Sequence, residues 1–253
     1  MALDSRPITL VPVTDFSLID SLSEQLINEC SELDVEISRD TAVLCVKHLL
    51  YVLQVNKYIN LTNITDVKEA VSLHLTDSLS LLRIFPCEPG KLLDFGTGAG
   101  FPGLPLAIHF GCDSVLIDSV GKKVKAVNSF IHQLQLKRCS AVHERVEVYA
   151  CSHREEFDAV VARAVGISSL LIEYATPLLH YGGYFVLAKA NPSHDEMTDS
   201  NRVSRMCGLD LICSDEFDLP NGAGHRKLSL YQKVSAPKVQ LPRSVGEAKR
   251  NPL

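Results

Sequence analysis

None of the eight cysteines in this 253-residue chain is spaced C-x-x-C, so the sequence offers neither a disulfide frame nor a zinc site. Cys30, Cys45, Cys87, Cys112, Cys139, Cys151, Cys207 and Cys213 are scattered and lie mostly in apolar runs, as reduced packing residues do. The nine histidines show no H-E-x-x-H and no paired metal spacing, and no metal is expected. No apolar run approaches the length that spans a bilayer. The N-terminus also lacks a basic region followed by an apolar core, so a cytoplasmic location without a membrane partner is expected. Neither an internal repeat nor a low-complexity tract is present.

A surplus of positive charge is missing too. A net charge of −5 and a pI near 6.0 argue against holding naked nucleic acid by bulk electrostatics. Charge is instead segregated: the first 40 residues carry nine acids against two arginines, whereas residues 236–253 hold Lys238, Arg243, Lys249 and Arg250 against Glu247 alone. Such a chain can meet RNA with one end, or the basic end is a solvated tail. With 46% hydrophobic and 22% charged residues, the composition is that of a globular protein with one large domain, or a large and a small one.

What is there centres on residues 91–103. Lys91-Leu92-Leu93-Asp94-Phe95 reads as a strand buried on both faces, followed by Gly96, Gly98 and Gly100 and then Pro102, a residue suited to a helix start. Strand, glycine turn and helix in that order form a nucleoside- or phosphate-binding corner. The run from Gly98 to Gly103 fits G-x-G-x-x-G, and Asp118 stands about 20 residues on, where a ribose-binding acid is expected. Asp94 shifts the balance away from a dinucleotide, because a carboxylate there suits a cation such as the sulfonium of S-adenosylmethionine. The alternative is that Asp94 satisfies loop N–H groups.

Before this corner the pattern is helical. Phe16, Ile19, Leu22 and Leu26 recur after Thr14-Asp15; Val43, Val46, Leu50 and Leu53 follow a cap at Asp40-Thr41; Val67, Val71, Leu75, Leu79 and Leu82 follow Thr65-Asp66. On the third helix His74, Asp77 and Ser78 are neighbours, facing a ligand or forming a surface hydrogen-bonded set. After the corner, strands alternate with helices: 114–118, a helix with Val120, Val124, Val127, Ile131 and Leu134 on one face, 141–143, 157–161, a helix over 168–179, a turn at Gly182-Gly183, and 184–188. Strands over 209–213 and 228–234 have no helix between them. The pattern predicts an α/β fold with a mostly parallel seven-stranded sheet and an antiparallel edge strand, preceded by a helical N-terminal segment.

Ligands of such sheets lie beyond the carboxyl ends of the strands, which singles out Gly96 to Phe101, Asp118, Val146, Glu147, Arg163 and Lys189. Asp118 can accept both ribose hydroxyls. Val146 and Glu147 can offer backbone and side-chain groups to an adenine edge. Arg163 is placed to meet a substrate phosphate or base, or else to pair with Asp158 or Asp94.

The string Asp94-Phe95-Gly96-Thr97-Gly98-Ala99-Gly100-Phe101-Pro102-Gly103-Leu104-Pro105 closely resembles the motif of the RsmG/GidB small-subunit ribosomal RNA methyltransferases. The resemblance extends to Asn60-Leu61-Thr62 with His74, Asp77 and Ser78, to Leu116-Ile117-Asp118-Ser119 with Gly121-Lys122-Lys123, to Arg145-Val146-Glu147, to Ala162-Arg163-Ala164, and to Pro242-Arg243, Gly246 and Lys249 to Leu253. It covers about residues 56–253. Leu73 departs from it where an arginine commonly precedes the histidine, and Ala190 replaces the usual glycine.

The resemblance implies a Rossmann-like class I methyltransferase that uses S-adenosyl-L-methionine to methylate N7 of a guanine in the decoding-side loop of 16S rRNA; the low basic charge favours the small ribosomal subunit as the partner, and a monomer is expected. The same resemblance implies cofactor contacts from Gly96, Phe101, Val146, Glu147 and Arg163; the strand-end positions add Gly98 and Asp118 to the expected cofactor contacts, and Arg163 and Lys189 are expected to be catalytic by positioning RNA phosphate or the O6 of the base. The segments are then a helical N-terminal part over 1–86, the methyltransferase domain over 87–235 and a basic tail over 236–253. A methyltransferase of another RNA or of a small molecule, a nicotinamide-dependent oxidoreductase, and a non-catalytic adenosylmethionine-binding module are the alternatives.

Overall fold

Leu92, Leu93, Asp94 and Phe95 are all buried, so β1 (Lys91–Phe95) has no face left for water and lies in the interior of its sheet. It pairs in parallel with β2 (Asp113–Asp118) on one side and β4 (Phe157–Arg163) on the other. The computed structural model describes residues 8–163 and 166–253; Ala164 of the Ala162-Arg163-Ala164 motif lies outside them. The seven strands run in the order β3-β2-β1-β4-β5-β7-β6, with β3 (Cys139–His143), β5 (Leu179–Lys189), β6 (Leu209–Asp218) and β7 (His225–Lys233). The antiparallel edge is the hairpin of the last two strands: β7 lies reversed between β5 and β6.

One expectation changes in β5. Gly182-Gly183 do not separate a helix from a strand but lie inside the strand, where Phe157 pairs with Leu179 and Ala159 already pairs with Tyr184. The extra residues bulge out of the ladder. Gly182 adopts φ 84° and a Cβ on Gly183 would stand 3.0 Å from the Phe157 carbonyl oxygen, so the bulge demands small residues.

The helical front consists of α1 (Phe16–Glu32), α2 (Arg39–Asn56) and a segment that changes pitch three times: α3 (Val67–Ala70), a π turn Val71–Thr76, α4 (Asp77–Leu79) and a 3₁₀ turn Ser80–Arg83. Asp15 and Asp66 cap the first and third helices by accepting the amides of Leu18 and Glu69. The second is capped by Ser38, two residues earlier than Asp40-Thr41, and Asp40 falls inside the first turn. Leu22, Leu26, Val46, Leu49 and Leu75 share one hydrophobic cluster with Ala99, Phe101, Leu104 and Phe130. The helices therefore rest directly on the glycine turn.

The helices α5 (Gly103–Phe110), α6 (Gly121–Gln133), α7 (Val146–Ser152), α8 (Ser168–Ala175) and α9 (His194–Cys207) fill the connections between strands, and α10 (Glu247–Arg250) follows the last strand. Leu93, Phe95, Val160 and Phe185 meet Leu171, Ile172 and Val203 on one side of the sheet, while Leu92, Val161 and Val186 pack with Leu106 on the other. Cys30, Cys45, Cys112 and Cys207 are buried as expected of packing residues; Cys87, Cys151 and Cys213 are exposed. No helix is long and apolar enough to cross a membrane among the described residues.

Candidate functional site

The chain after β1 turns through conformations that favour glycine. Gly96, Gly98 and Gly100 have φ of 73°, 60° and 97°. The amides of Gly96 and Thr97 both reach the Ile117 carbonyl, at 2.7 and 3.1 Å, folding the turn over the end of β2. Pro102 is the residue just before α5, one position earlier than a first-turn proline.

Asp94 takes the second of its two readings. Its Oδ2 accepts the Gly103 amide at 2.9 Å, and it is 1% exposed beneath the start of α5. A Cβ on Gly103 would fall 2.6 Å from that oxygen. Burial pushes the carboxyl up to about 6, against the pull of Thr97, the Gly103 amide and Arg163. The carboxylate braces the turn from below and is not among the residues that line the cavity at Asp118.

Asp118 ends β2 and is also buried, but in the wall of a cavity. Its Oδ2 accepts the Gly98 amide at 2.9 Å and its Oδ1 the Val120 amide at 2.8 Å. Two backbone donors fix the group while each oxygen retains acceptor capacity. The cavity, about 580 Å³, is bounded by Phe95, Gly96, Ile117, Asp118, Val146, Glu147, Arg163, Leu171 and Tyr174 among others. It opens at the carboxyl ends of β1, β2 and β4, where the strand order reverses.

Val146, the first residue of α7, forms an apolar wall with Ile117 and Leu171. Glu147 is braced through one oxygen: Oε1 accepts the Tyr174 hydroxyl and the Gly246 amide, each at 3.1 Å. Burial and the nearby Glu147 push the Tyr174 phenol up to about 12, so it stays a donor.

Arg163 ends β4 and pairs with neither Asp158 nor Asp94. Its Nη1 donates to Asp77 Oδ2 at 3.0 Å and to the His74 carbonyl at 3.3 Å, while Arg226 Nε donates to Asp77 Oδ1 at 2.7 Å. The three side chains are 12%, 8% and 14% exposed for Arg163, Asp77 and Arg226, and the group carries one net positive charge. The cluster of His74, Asp77 and Ser78 is thus largely buried against the site, not a surface set. His74 stacks on Phe101 with centroids 4.7 Å apart, receives or donates a 2.7 Å bond with Thr62 Oγ1, and is lowered to about 4 by burial and by Arg163.

Five of the expected ligand residues line the cavity: Gly96, Asp118, Val146, Glu147 and Arg163. Gly98, Phe101 and Lys189 do not. Gly98 is occupied in holding Asp118. Phe101 is packed between the rings of His74 and His48, the latter at 4.6 Å, and the helical front covers it. Lys189 stands one layer back, with Nζ on the Gly166 carbonyl at 2.6 Å and on Glu196 Oε1 at 2.9 Å. Tyr174, Gly166 and Lys249 are further wall residues, outside the ligand contacts that the sequence predicts. Only Lys249 carried a signal, its place in the basic tail.

Residues 44–217 match the GidB family, described as rRNA small subunit methyltransferase G. The chain is 35% identical over 224 residues to the Ribosomal RNA small subunit methyltransferase G of Desulfitobacterium hafniense (strain Y51), spanning 87% of this chain and 93% of that one. It is 34% identical over 236 residues to the protein of the same name from Lactobacillus acidophilus, spanning 91% and 98%. Among solved structures, P. horikoshii TYW2 in complex with MeSAdo is similar with a TM-score of 0.54 at 15% identity over 64% of each chain. The [4+2]-cyclase SpnF is similar with a TM-score of 0.52 at 13% identity, over 63% of this chain and 82% of that one. These likenesses show the fold, and a cyclase among them leaves the reaction to be argued from the site.

Proposed function

The chain belongs to the rRNA small subunit methyltransferase G family, and from that premise we propose that it methylates N7 of a guanine in the decoding-side loop of 16S rRNA, with S-adenosyl-L-methionine as donor. The observation that carries this reading is the cavity of about 580 Å³ at the sheet's switch point, with Asp118 fixed in its wall and Arg163 at its border. Its volume suits a nucleoside-sized ligand. Relatives named as methyltransferases leave the nicotinamide alternative without support.

The residues present fit the donor. Asp118, already oriented by two amides, would accept the ribose hydroxyls, and Val146 with Ile117 and Leu171 would flank the adenine, whose edge Glu147 would meet. The backbone at Gly96 allows close approach of the ligand. Gly98 and Phe101 act by holding the turn, and Lys189 by holding Gly166. When bound, the donor supplies an electrophilic methyl group on a sulfonium sulfur.

Guanine N7 has a free lone pair and no proton to lose, so the protein needs to align the reactants and needs no general base. The ionisable groups around Arg163 agree with that economy. Asp77 is taken by two guanidiniums, His74 is kept neutral, and Lys189 is engaged by Gly166 and Glu196. The net positive charge of the Asp77 group would draw the O6 acceptor of the base or an adjacent phosphate toward Arg163.

The overall charge of −5 favours the assembled small subunit as substrate, where RNA shape and proteins add contacts, over protein-free rRNA. A monomeric enzyme acting in the cytoplasm completes the reading. Transfer of labelled methyl from S-adenosylmethionine to small subunits from a strain lacking the activity, beside protein-free rRNA, tests it. Label in subunit rRNA supports the proposal; donor binding without label returns the substrate to unknown.

A further inference from the structure

The basic tail is tied to the domain at several points, while Lys238, Lys249 and Arg250 stay exposed. Arg154 Nη1 donates to the Leu241 carbonyl at 2.7 Å, Leu241 and Ala248 are each 3% exposed, and Lys238 N reaches the Met206 carbonyl at 2.8 Å. The firmest tie is a fork: Arg243 Nε and Nη2 donate to the two oxygens of Glu173 at 2.7 and 2.5 Å, with the side chains 15% and 4% exposed. The third guanidinium nitrogen, Nη1, holds the Asn251 carbonyl at 2.8 Å. One arginine thus fastens both ends of the loop from 243 to 251 onto α8.

That loop reaches the cavity at two points. The Gly246 amide donates to Glu147 Oε1, the same oxygen that accepts the Tyr174 hydroxyl, and Lys249 is a wall residue. Gly246 has φ 74°, a left-handed conformation that glycine adopts freely. Glu173, the anchor, is adjacent to Tyr174 and two residues beyond Leu171, both in the same wall.

We propose that residues 241–253 form a functional wall of the donor cavity and that Arg243, by its fork on Glu173, is a positioning residue for donor binding. The inference rests on the donor reading above. Releasing the fork frees the loop, withdraws Gly246 from Glu147 and Lys249 from the wall, and leaves Glu147 and Tyr174 less constrained. By linkage, a donor that needs this wall must in turn tighten it.

Calorimetric titration with S-adenosylhomocysteine tests this on the full chain. Arg243→Gln is expected to weaken Kd at least fivefold and to raise the donor KM by a similar factor, with kcat at saturating donor little changed. Arg243→Lys, which keeps the charge but loses the fork, should recover only part of the affinity. Arg83→Gln is the control: it breaks the 2.7 Å pair with Asp215 at the far edge of the sheet and should leave Kd at the wild-type value. A folded Arg243→Gln variant that binds less than fivefold more weakly than wild type overturns the inference alone. No binding by the wild-type protein overturns the donor reading, and the inference with it. If Arg243→Gln does not fold, hydrogen exchange of the wild-type protein decides: amides of 246–250 slowed by S-adenosylhomocysteine support the wall, and unchanged exchange overturns it.

Discussion

Arg163 and Asp77, 86 residues apart in sequence, meet through Nη1 and Oδ2 at 3.0 Å, and the other oxygen of that carboxylate is held by Arg226. A buried carboxylate shared by two guanidiniums fixes the end of β4 against the helical front and the last hairpin at once. Replacing it leaves two cations largely out of water without their partner. Asp77→Asn is expected to lower the unfolding free energy by about 3–5 kcal/mol, read by urea denaturation; a loss under 1 kcal/mol would show that the triad is not structural.

Arg163 itself borders the cavity and adds its cation to the face of Phe101 at 5.8 Å. Arg163→Ala should reduce kcat by roughly 100-fold or more, the scale of a lost transition-state contact, while S-adenosylhomocysteine binding changes far less. Wild-type turnover at saturating RNA and donor would remove Arg163 from the mechanism.

Asp118 is the acceptor assigned to the ribose. Hydrogen bonds to a charged group contribute roughly 1.5–3 kcal/mol each, so Asp118→Ala should weaken S-adenosylhomocysteine binding by roughly 10- to 100-fold. Part of that loss comes from the amides of Gly98 and Val120, which lose their acceptor. Unchanged affinity would mean that the ligand sits elsewhere.

Acid should destabilise the packing behind the turn. Burial lowers His48 and His74 from 6.5 to about 4, so the unfolded chain takes up both protons before the folded one does. Their contribution is fully present above pH 6.5 and is lost as pH falls toward 4. Asp94, raised to about 6, acts the other way: its contribution is present below pH 3.8 and is lost as pH rises through 6. Two protons oppose one, so stability should fall on acidification between pH 6.5 and 4. His48→Gln should flatten that slope by about one proton, measured by denaturation at several pH values; an unaltered slope would contradict the assignment to His48.

Local signals in the sequence reached as far as β1, whose bounds the apolar run from Lys91 to Phe95 marks directly, and Asp118, an acid at a strand end. The alternation after it revealed the α/β sheet and its reversed strand. Contacts between remote residues were not legible. Arg226 lies 149 residues from Asp77, and Arg243 lies 70 from Glu173, so nothing local announces either pair. Asp94 shows the converse: a carboxylate at the right place in the string whose neighbour, Gly103, is visible only once α5 is folded over it. The π turn at Val71–Thr76 escaped for a related reason. Its apolar stripe reads as α-helix, while the hydroxyls of Ser72 and Thr76 turn to a buried Glu29 that belongs to α1.

Presentation of a methyl group to one guanine N7 by the cavity beside Asp118 and Arg163 leaves a chemical mark on that base. Its most direct test is chemical cleavage at 7-methylguanine in 16S rRNA from small subunits methylated by the purified protein, mapped by primer extension. A single new cleavage is expected, at one guanine of the decoding-side loop, and it should disappear with Arg163→Ala. Methyl label incorporated without cleavage, or cleavage at guanines outside that loop, would contradict it.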